Sequence, residues 1–281
     1  MRKSLIGIII LSIVLVGIVV PYGFSAQSES TVITYGETTY NNQEYKSIVD
    51  NFFKTESGLD ISNIESKIIT ADEVNEVASK ITQKTYDSNQ IYSCALVDLS
   101  EEGNIKVTVD TSKITVITAD MYISALKTAG ITHGHIYVTS PVPATGESAL
   151  TGIMNSYEEA TNVTIPENVK EAANDEIVTE AEVVANENVT AEEVADLVDE
   201  VKGEVIENNI TNHTTIVNMI YNYTVEHNLN ISNSSIEDLA TSIENVQAVQ
   251  GEVENYTNQV DSVVTTDSDG FSFDSIFDYF K

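Results

Sequence analysis

The chain has no tryptophan, one cysteine, four prolines and, after Arg2, no arginine. Each shortage removes a class of explanation. With Cys94 alone no internal disulfide can form, so the fold must rest on packing in any compartment. Cys94 lies in the apolar run 91–99 and reads as a small buried hydrophobe rather than a reactive thiol. Basic residues are scarce, 13 against 44 acidic ones, for a net charge of −31. Nucleic-acid binding depends on neutralising phosphates with Lys and Arg, so nucleic acid is excluded as a partner. Anionic lipid headgroups are repelled by the same Coulomb argument. The usual catalytic constellations are also missing. Ser148 sits in Gly146-Glu-Ser-Ala-Leu150, which lacks the closing glycine of a nucleophile elbow. Asp267-Ser-Asp-Gly270 contains part of a calcium loop without its bidentate glutamate. Nothing in the sequence calls for a cofactor.

What is present begins with Arg2 and Lys3, then an apolar run from Leu5 to Val20 interrupted by Ser12, then Pro21 and a small-residue zone ending at Ala26. That is the pattern of a signal peptide over residues 1–26. The run is slightly short of the about 20 residues needed to span a bilayer. An uncleaved signal anchor is the alternative, and it would be the chain's only membrane contact. Either reading places the protein outside the cytoplasm, secreted or associated with the cell envelope.

The charge is lopsided. Residues 27–127 carry 16 acidic and 8 basic side chains, whereas residues 129–281 carry 28 acidic and only Lys170, Lys202 and Lys281. Such a surface attracts counterions and basic partners and keeps the chain soluble.

Along the chain, Thr31 to Tyr35 predicts a strand ending at Gly36. Asn41, with Glu44, caps a helix bearing Tyr45, Ile48, Val49, Phe52 and Phe53 and stopping near Gly58. A short apolar piece, Lys67 to Ile69, precedes a capping box of Thr70 and Glu73 and a helix with Val74, Val77, Ala78 and Ile81 on one face. Strands follow over Ile91–Leu99 and Ile105–Val109, joined by a turn at Glu101-Glu-Gly-Asn104. Beyond Ala160 strands disappear. Pro166 suits a first helical turn, Thr190 and Glu193 form a capping box ahead of Val194, Leu197, Val198, Val201 and Val205, and Asn212 opens a helix with Ile216, Val217, Ile220 and Tyr223. Ser234 to Glu237 starts the longest helix, whose apolar 3-4 spacing runs from Ile236 through Val263 with one three-residue skip before Val249. Packing on neighbouring helices accounts for that stripe better than a coiled coil. Divided by texture, the chain is a signal segment (1–26), an α/β part with a small mixed sheet (27–163), an acidic all-helical region (164–264) and a polar spacer with an aromatic tail (265–281).

The densest pattern is Thr118 to Ala160. Thr118 caps a helix with Met121, Tyr122, Ala125, Leu126 and Ala129 on its buried face, and Gly130 ends it in a left-handed turn. His135 to Thr139 is a strand. Ser140 to Gly146 is a loop stiffened by Pro141 and Pro143, and Thr145 is the expected cap of a helix burying Ala149, Leu150, Ile153, Met154 and Tyr157, in which Gly152 permits close approach to the sheet. This stretch resembles the family known as domain of unknown function 1002. The resemblance rests on Ile117-Thr-Ala-Asp-Met-Tyr122, Ala125-Leu126, Thr128-Ala-Gly-Ile131, Ser140-Pro-Val-Pro143, Gly146, Ala149-Leu-Thr-Gly-Ile153 and Tyr157-Glu158. It implies a secreted, envelope-associated protein and supplies no activity or catalytic residues. The chain departs from the family pattern at Thr145, where serine is expected, and at His133-Gly-His135, where polar or acidic residues are expected.

Three candidate sites follow. Ser140, Pro141, Pro143, Thr145 and Gly146 form a loop that could present backbone N–H groups to an anion at a helix start, or serve only as a rigid turn. His133 and His135, one residue apart on an extended segment, should point to one side and could hold a metal with a third ligand. Asn162, Asn188, Asn209, Asn212, Asn222, Asn230, Asn233 and Asn255 each open an Asn-x-Ser/Thr sequon, a site of N-glycosylation in a competent host or a by-product of an Asn- and Thr-rich chain. The expected function is that of a non-enzymatic interaction or scaffold protein with an unknown protein or wall-polymer partner, basic in character. A hydrolase acting on an envelope polymer at the Ser140–Gly146 loop is the alternative, and low-affinity divalent-cation binding by the acidic half is a weaker one.

Overall fold

The structure is a computed structural model and describes residues 31–81, 85–100 and 103–267. The segment up to Ala26, the side chains of Val77, Ile81 and Val263, the corner at Glu101-Glu102 and the tail after residue 267 lie outside the described residues.

A five-stranded mixed sheet holds the first part together. It is built from β1 (Thr31–Gly36), β2 (Glu65–Ile69), β3 (Cys94–Asp98), β4 (Lys106–Val109) and β5 (His135–Thr139), in the order β2-β1-β3-β5-β4. β1 runs parallel to β2 and antiparallel to β3, and β5 runs antiparallel to β3 and parallel to β4. The two strands flanking the Gly103 turn therefore do not form a hairpin. β5 lies between them, because its Ile136, Tyr137 and Val138 bury both faces and demand a central position.

The strands' two-residue period sorts side chains onto two cores. Ile33, Tyr35, Cys94, Leu96 and Tyr137 face α2 (Gln43–Ser57), which follows a short α1 (Glu37–Tyr40) and buries Val49 and Phe53 against them. Cys94 is buried, and burial pushes its thiol up to about 12, as an inert core residue requires. The opposite face carries Ala95, Val97, Ile136 and Val138 under α4 (Ala119–Thr128) and α5 (Glu147–Thr161), which follow α3 (Ala71–Ile81). A methyl group on Gly152 would meet Thr34 Oγ1 at 2.8 Å, so the missing side chain lets α5 lie directly on β1.

Helices then continue without strands: α6 (Glu167–Asn186), α7 (Ala191–Glu207), α8 (His213–Glu226), α9 (Asn233–Ala248) and α10 (Gln250–Asp267). Part of this region completes the α4/α5 core through Ile165, Val169, Ala173, Ile177, Tyr256 and Val260. The remainder forms its own core from the stripe Val194, Leu197, Val198, Val201 and Val205 with Ile216, Ile220, Ile236, Leu239 and Ile243. Among the described residues no helix is long and apolar enough to cross a membrane.

Several caps differ from expectation. Asn42, not Asn41, caps α2, accepting from the backbone N–H of Glu44 and Tyr45, because α1 occupies the residues before it. Thr145 is exposed and does not cap α5; Gly146 stands at that position in a left-handed conformation (φ 112°) with no side-chain cap. Ser232, rather than Ser234, caps α9. The apolar stripe that begins there is two helices, not one, and the break at Val249 falls where the spacing skips. The boxes at Thr70 and Thr190 form as read, and Thr118 caps α4 as expected.

Candidate functional site

The loop 140–146 is stitched to the chain before α4. Ala144 N–H donates to the Lys113 carbonyl at 2.9 Å, and its own carbonyl accepts from Thr115 N–H at 2.9 Å. Ser140 and Pro141 are buried, whereas Pro143 and Thr145 face solvent, so the five candidate residues do not converge on one surface. Gly146 is held from behind: its carbonyl accepts from Tyr122 Oη at 2.6 Å, and an added Cβ would meet Tyr122 Oη and Ile114 within 2.8 Å. Its φ of 112° and the tight seat both require glycine. The loop is packed as a structural turn.

The two histidines part company. Gly134 adopts φ 103° between them and breaks the alternation that would have put both on one side. His133 packs edge-on against Tyr157 of α5, with Nε2 2.8 Å from the phenol oxygen, and burial lowers its pKa. His135 stacks on Tyr137 toward the α2 face and reaches Thr108 Oγ1 at 2.9 Å. The expectation that they form a metal pair on one side is not met, and among the described residues no three ligand-type side chains gather to hold a metal.

The site with space lies elsewhere. A cleft of about 520 Å³ opens where α4, the turn after it, α7 and α10 meet. Ile123, Ala195 and Val253 supply apolar walls, and Asp120, Asp196 and Asp199 place carboxylates at its exposed margins, with Lys127 alongside. A volume of this size falls in the range of about 300–1,000 Å³ that accommodates small organic ligands.

Beneath the cleft a buried polar network fixes its walls. Lys202 of α7 is 5% exposed and donates to Glu176 Oε1 of α6 at 2.6 Å, and to Ser124 Oγ and the Ser124 carbonyl of α4 at 2.6 and 3.0 Å. Ser124 and Thr128 donate to the two carboxylate oxygens of Glu176 at 2.7 and 2.6 Å. Three helices are thus pinned by one ion pair. On two of them, Ile123 and Lys127 of α4 and Asp199 of α7 line the cleft. Glu180, one turn along α6, is fully buried, and neither of its oxygens has a hydrogen-bond partner among the described residues. Burial, then the neighbouring Glu176 carboxylate, raises its pKa well above the ordinary value; Lys202 opposes this in part and Asp199 adds to it. Burial and the neighbouring carboxylate thus favour its protonated form.

None of these residues stood out as a candidate from sequence, yet a signal existed. Val169, Ala173, Ile177 and Ala181 mark the buried face of α6, and Glu176 and Glu180 fall in the same register. Lys202 likewise sits four residues after Val198 on the buried side of α7.

The fold is an acidic α/β protein with a helical extension, and a cleft opens between α4, α7 and α10. The chain belongs to the family described as "Protein of unknown function (DUF1002)", whose model matches residues 35–263. It is 31% identical over 148 residues, 53% of this chain and 50% of the other, to the "Uncharacterized protein YpuA" of Bacillus subtilis strain 168. The chain thus spans about half the length of that curated relative. No solved structure matches it.

Proposed function

We propose that this protein works outside the cytoplasm as a non-enzymatic binding protein. Its partner presents a positively charged nitrogen on an apolar stem, as a basic protein segment does, and the cleft between α4, α7 and α10 receives it. The carrying observation is the lining of that cleft, with apolar walls for the stem and Asp120, Asp196 and Asp199 around the opening for the charge. The chain's net charge of −31 favours the same partner through long-range attraction, which raises the rate of encounter. The apolar N-terminal segment from Leu5 to Val20 supports the extracytoplasmic setting. The packed loop at Gly146, seated on Tyr122 and Ile114, favours a scaffold over a hydrolase there.

The test is a calorimetric titration of the purified chain with a short lysine-rich peptide at low salt. Wild type should bind, with affinity falling as salt rises. The Asp196→Asn/Asp199→Asn pair should weaken binding by about tenfold, or roughly 1.4 kcal/mol, as expected for two partly screened charge contacts. Equal affinity of wild type and variant would remove the cleft from the reading.

A further inference from the structure

We propose that the helical region is N-glycosylated, its sequon asparagines being acceptor sites for a saccharide coat. The inference rests on the extracytoplasmic setting proposed above, and a separate distribution carries it. Eight of the sixteen asparagines from Asn162 to Asn258 open a sequon, but none of the eight from Asn41 to Asn155 does, although serine and threonine are more frequent in that earlier part. Chance placement of Ser and Thr would give the reverse bias. In the fold, all eight sequon asparagines are exposed. Five of the eight lie at corners, whereas Asn222, Asn233 and Asn255 lie on exposed faces within α8, α9 and α10. Each of the four connections from α5 to α9 carries at least one: Asn162 at the end of α5, Asn188 between α6 and α7, Asn209 and Asn212 between α7 and α8, and Asn230 before α9. Asn162 and Asn209 adopt left-handed backbone conformations with φ 53° and 50°, which turns them out of the preceding helices.

Exposed corners are where a transferase can reach an amide without unfolding a helix, and where a bulky hydrophilic group disturbs no packing. The donor is a lipid-phosphate-linked saccharide. The asparagine Nδ2 forms a bond to the anomeric carbon as the bond from that carbon to the lipid-phosphate oxygen breaks. The lipid phosphate leaves with the electron pair, and the amide proton passes to a base of the transferase. The product is a polar saccharide coat around a strongly acidic region.

The experiment is peptide mapping by mass spectrometry on the chain purified from its own host, with protease digestion of intact cells run alongside. Saccharide masses on the sequon asparagines, Asn209 and Asn212 among them, are expected. Thr211→Val should abolish modification at Asn209 and leave Asn212 modified, whereas Thr211→Ser should retain both; Thr211 is exposed, so neither change threatens folding. Unmodified asparagines on a chain that external protease degrades would overturn the glycosylation and leave the extracytoplasmic reading standing. Unmodified asparagines on a chain protected inside intact cells would overturn both. Saccharide mass on lysines alone would mark chemical glycation and likewise overturn the proposal.

Discussion

Replacing Lys202 by alanine is expected to destabilise the protein by about 3–5 kcal/mol, the cost of leaving a buried carboxylate without its partner. Glu176 is 1% exposed and receives hydrogen bonds from Lys202, Ser124 and Thr128, so its carboxylate is shielded from bulk solvent. A loss of this size is a large share of the about 5–15 kcal/mol that holds a typical domain folded. Urea unfolding of the full chain measures it directly. The ion pair need not itself be a net source of stability, because desolvating two charges offsets most of their attraction. The double variant Lys202→Met/Glu176→Met should therefore recover much of the loss. A single variant as stable as wild type would show that the network does not pin α4, α6 and α7 together. Because Ile123, Lys127 and Asp199 are positioned by that network, the single variant should also lose binding in the cleft.

The second large effect has the opposite sign. Glu180→Met is expected to stabilise the protein by about 1–3 kcal/mol near neutral pH, by removing a buried carboxyl that has no hydrogen-bond partner among the described residues. The pH dependence follows from burial and Glu176 raising the Glu180 pKa in the folded state. Between the unfolded and folded values the folded chain holds a proton that the unfolded chain has released, so stability falls as pH rises through that window. The substitution should give its smallest gain below about pH 4, where the carboxyl is protonated in both states, and a growing gain above it. Thermal unfolding at acid and neutral pH reads this difference. A destabilising Glu180→Met, or a gain that does not grow with pH, would mean that the carboxyl is ionised and paired in solution.

Local pattern carried the reading of the sequence a long way where both helix periodicity and end signals were strong. Met121, Tyr122, Ala125, Leu126 and Ala129, and the stripe from Ala149 to Tyr157, are buried as their spacing predicts. Pairing between distant strands is not written in local pattern. The strands either side of Gly103 resemble a hairpin, yet β5 separates them because its burial on both faces outweighs the short connection. Caps at Asn42 and Ser232 shifted by one or two residues because several adjacent Asn and Ser side chains can each serve. The Val249 break was visible as a skip in spacing, though a skip alone does not separate a break from a change of packing partner.

The candidate site was less legible for a different reason. The Ser140–Gly146 loop attracts notice because prolines, glycine and a helix start coincide, and the same features serve a tight turn on Tyr122. The cleft gathers residues from positions as far apart as Asp120, Asp199 and Val253, each unremarkable in its own segment. Acidic residues are so common here that no one of them signals a site. Glu176, Glu180 and Lys202 were distinguishable only by register, as polar side chains on faces that should be apolar.

The cleft itself is tested most directly by site-resolved NMR. Amide shifts of the full chain are followed while a short alkyl diamine is added at moderate salt. Saturable shifts confined to the cleft lining are expected, at Ile123, Gly130, Thr132, Ala195 and Val253, with their loss in the Asp196→Asn/Asp199→Asn variant. Weak, non-saturating shifts spread along the exposed acidic faces of α6 to α9 would contradict that expectation, reducing the cleft to one part of a general polyanionic surface.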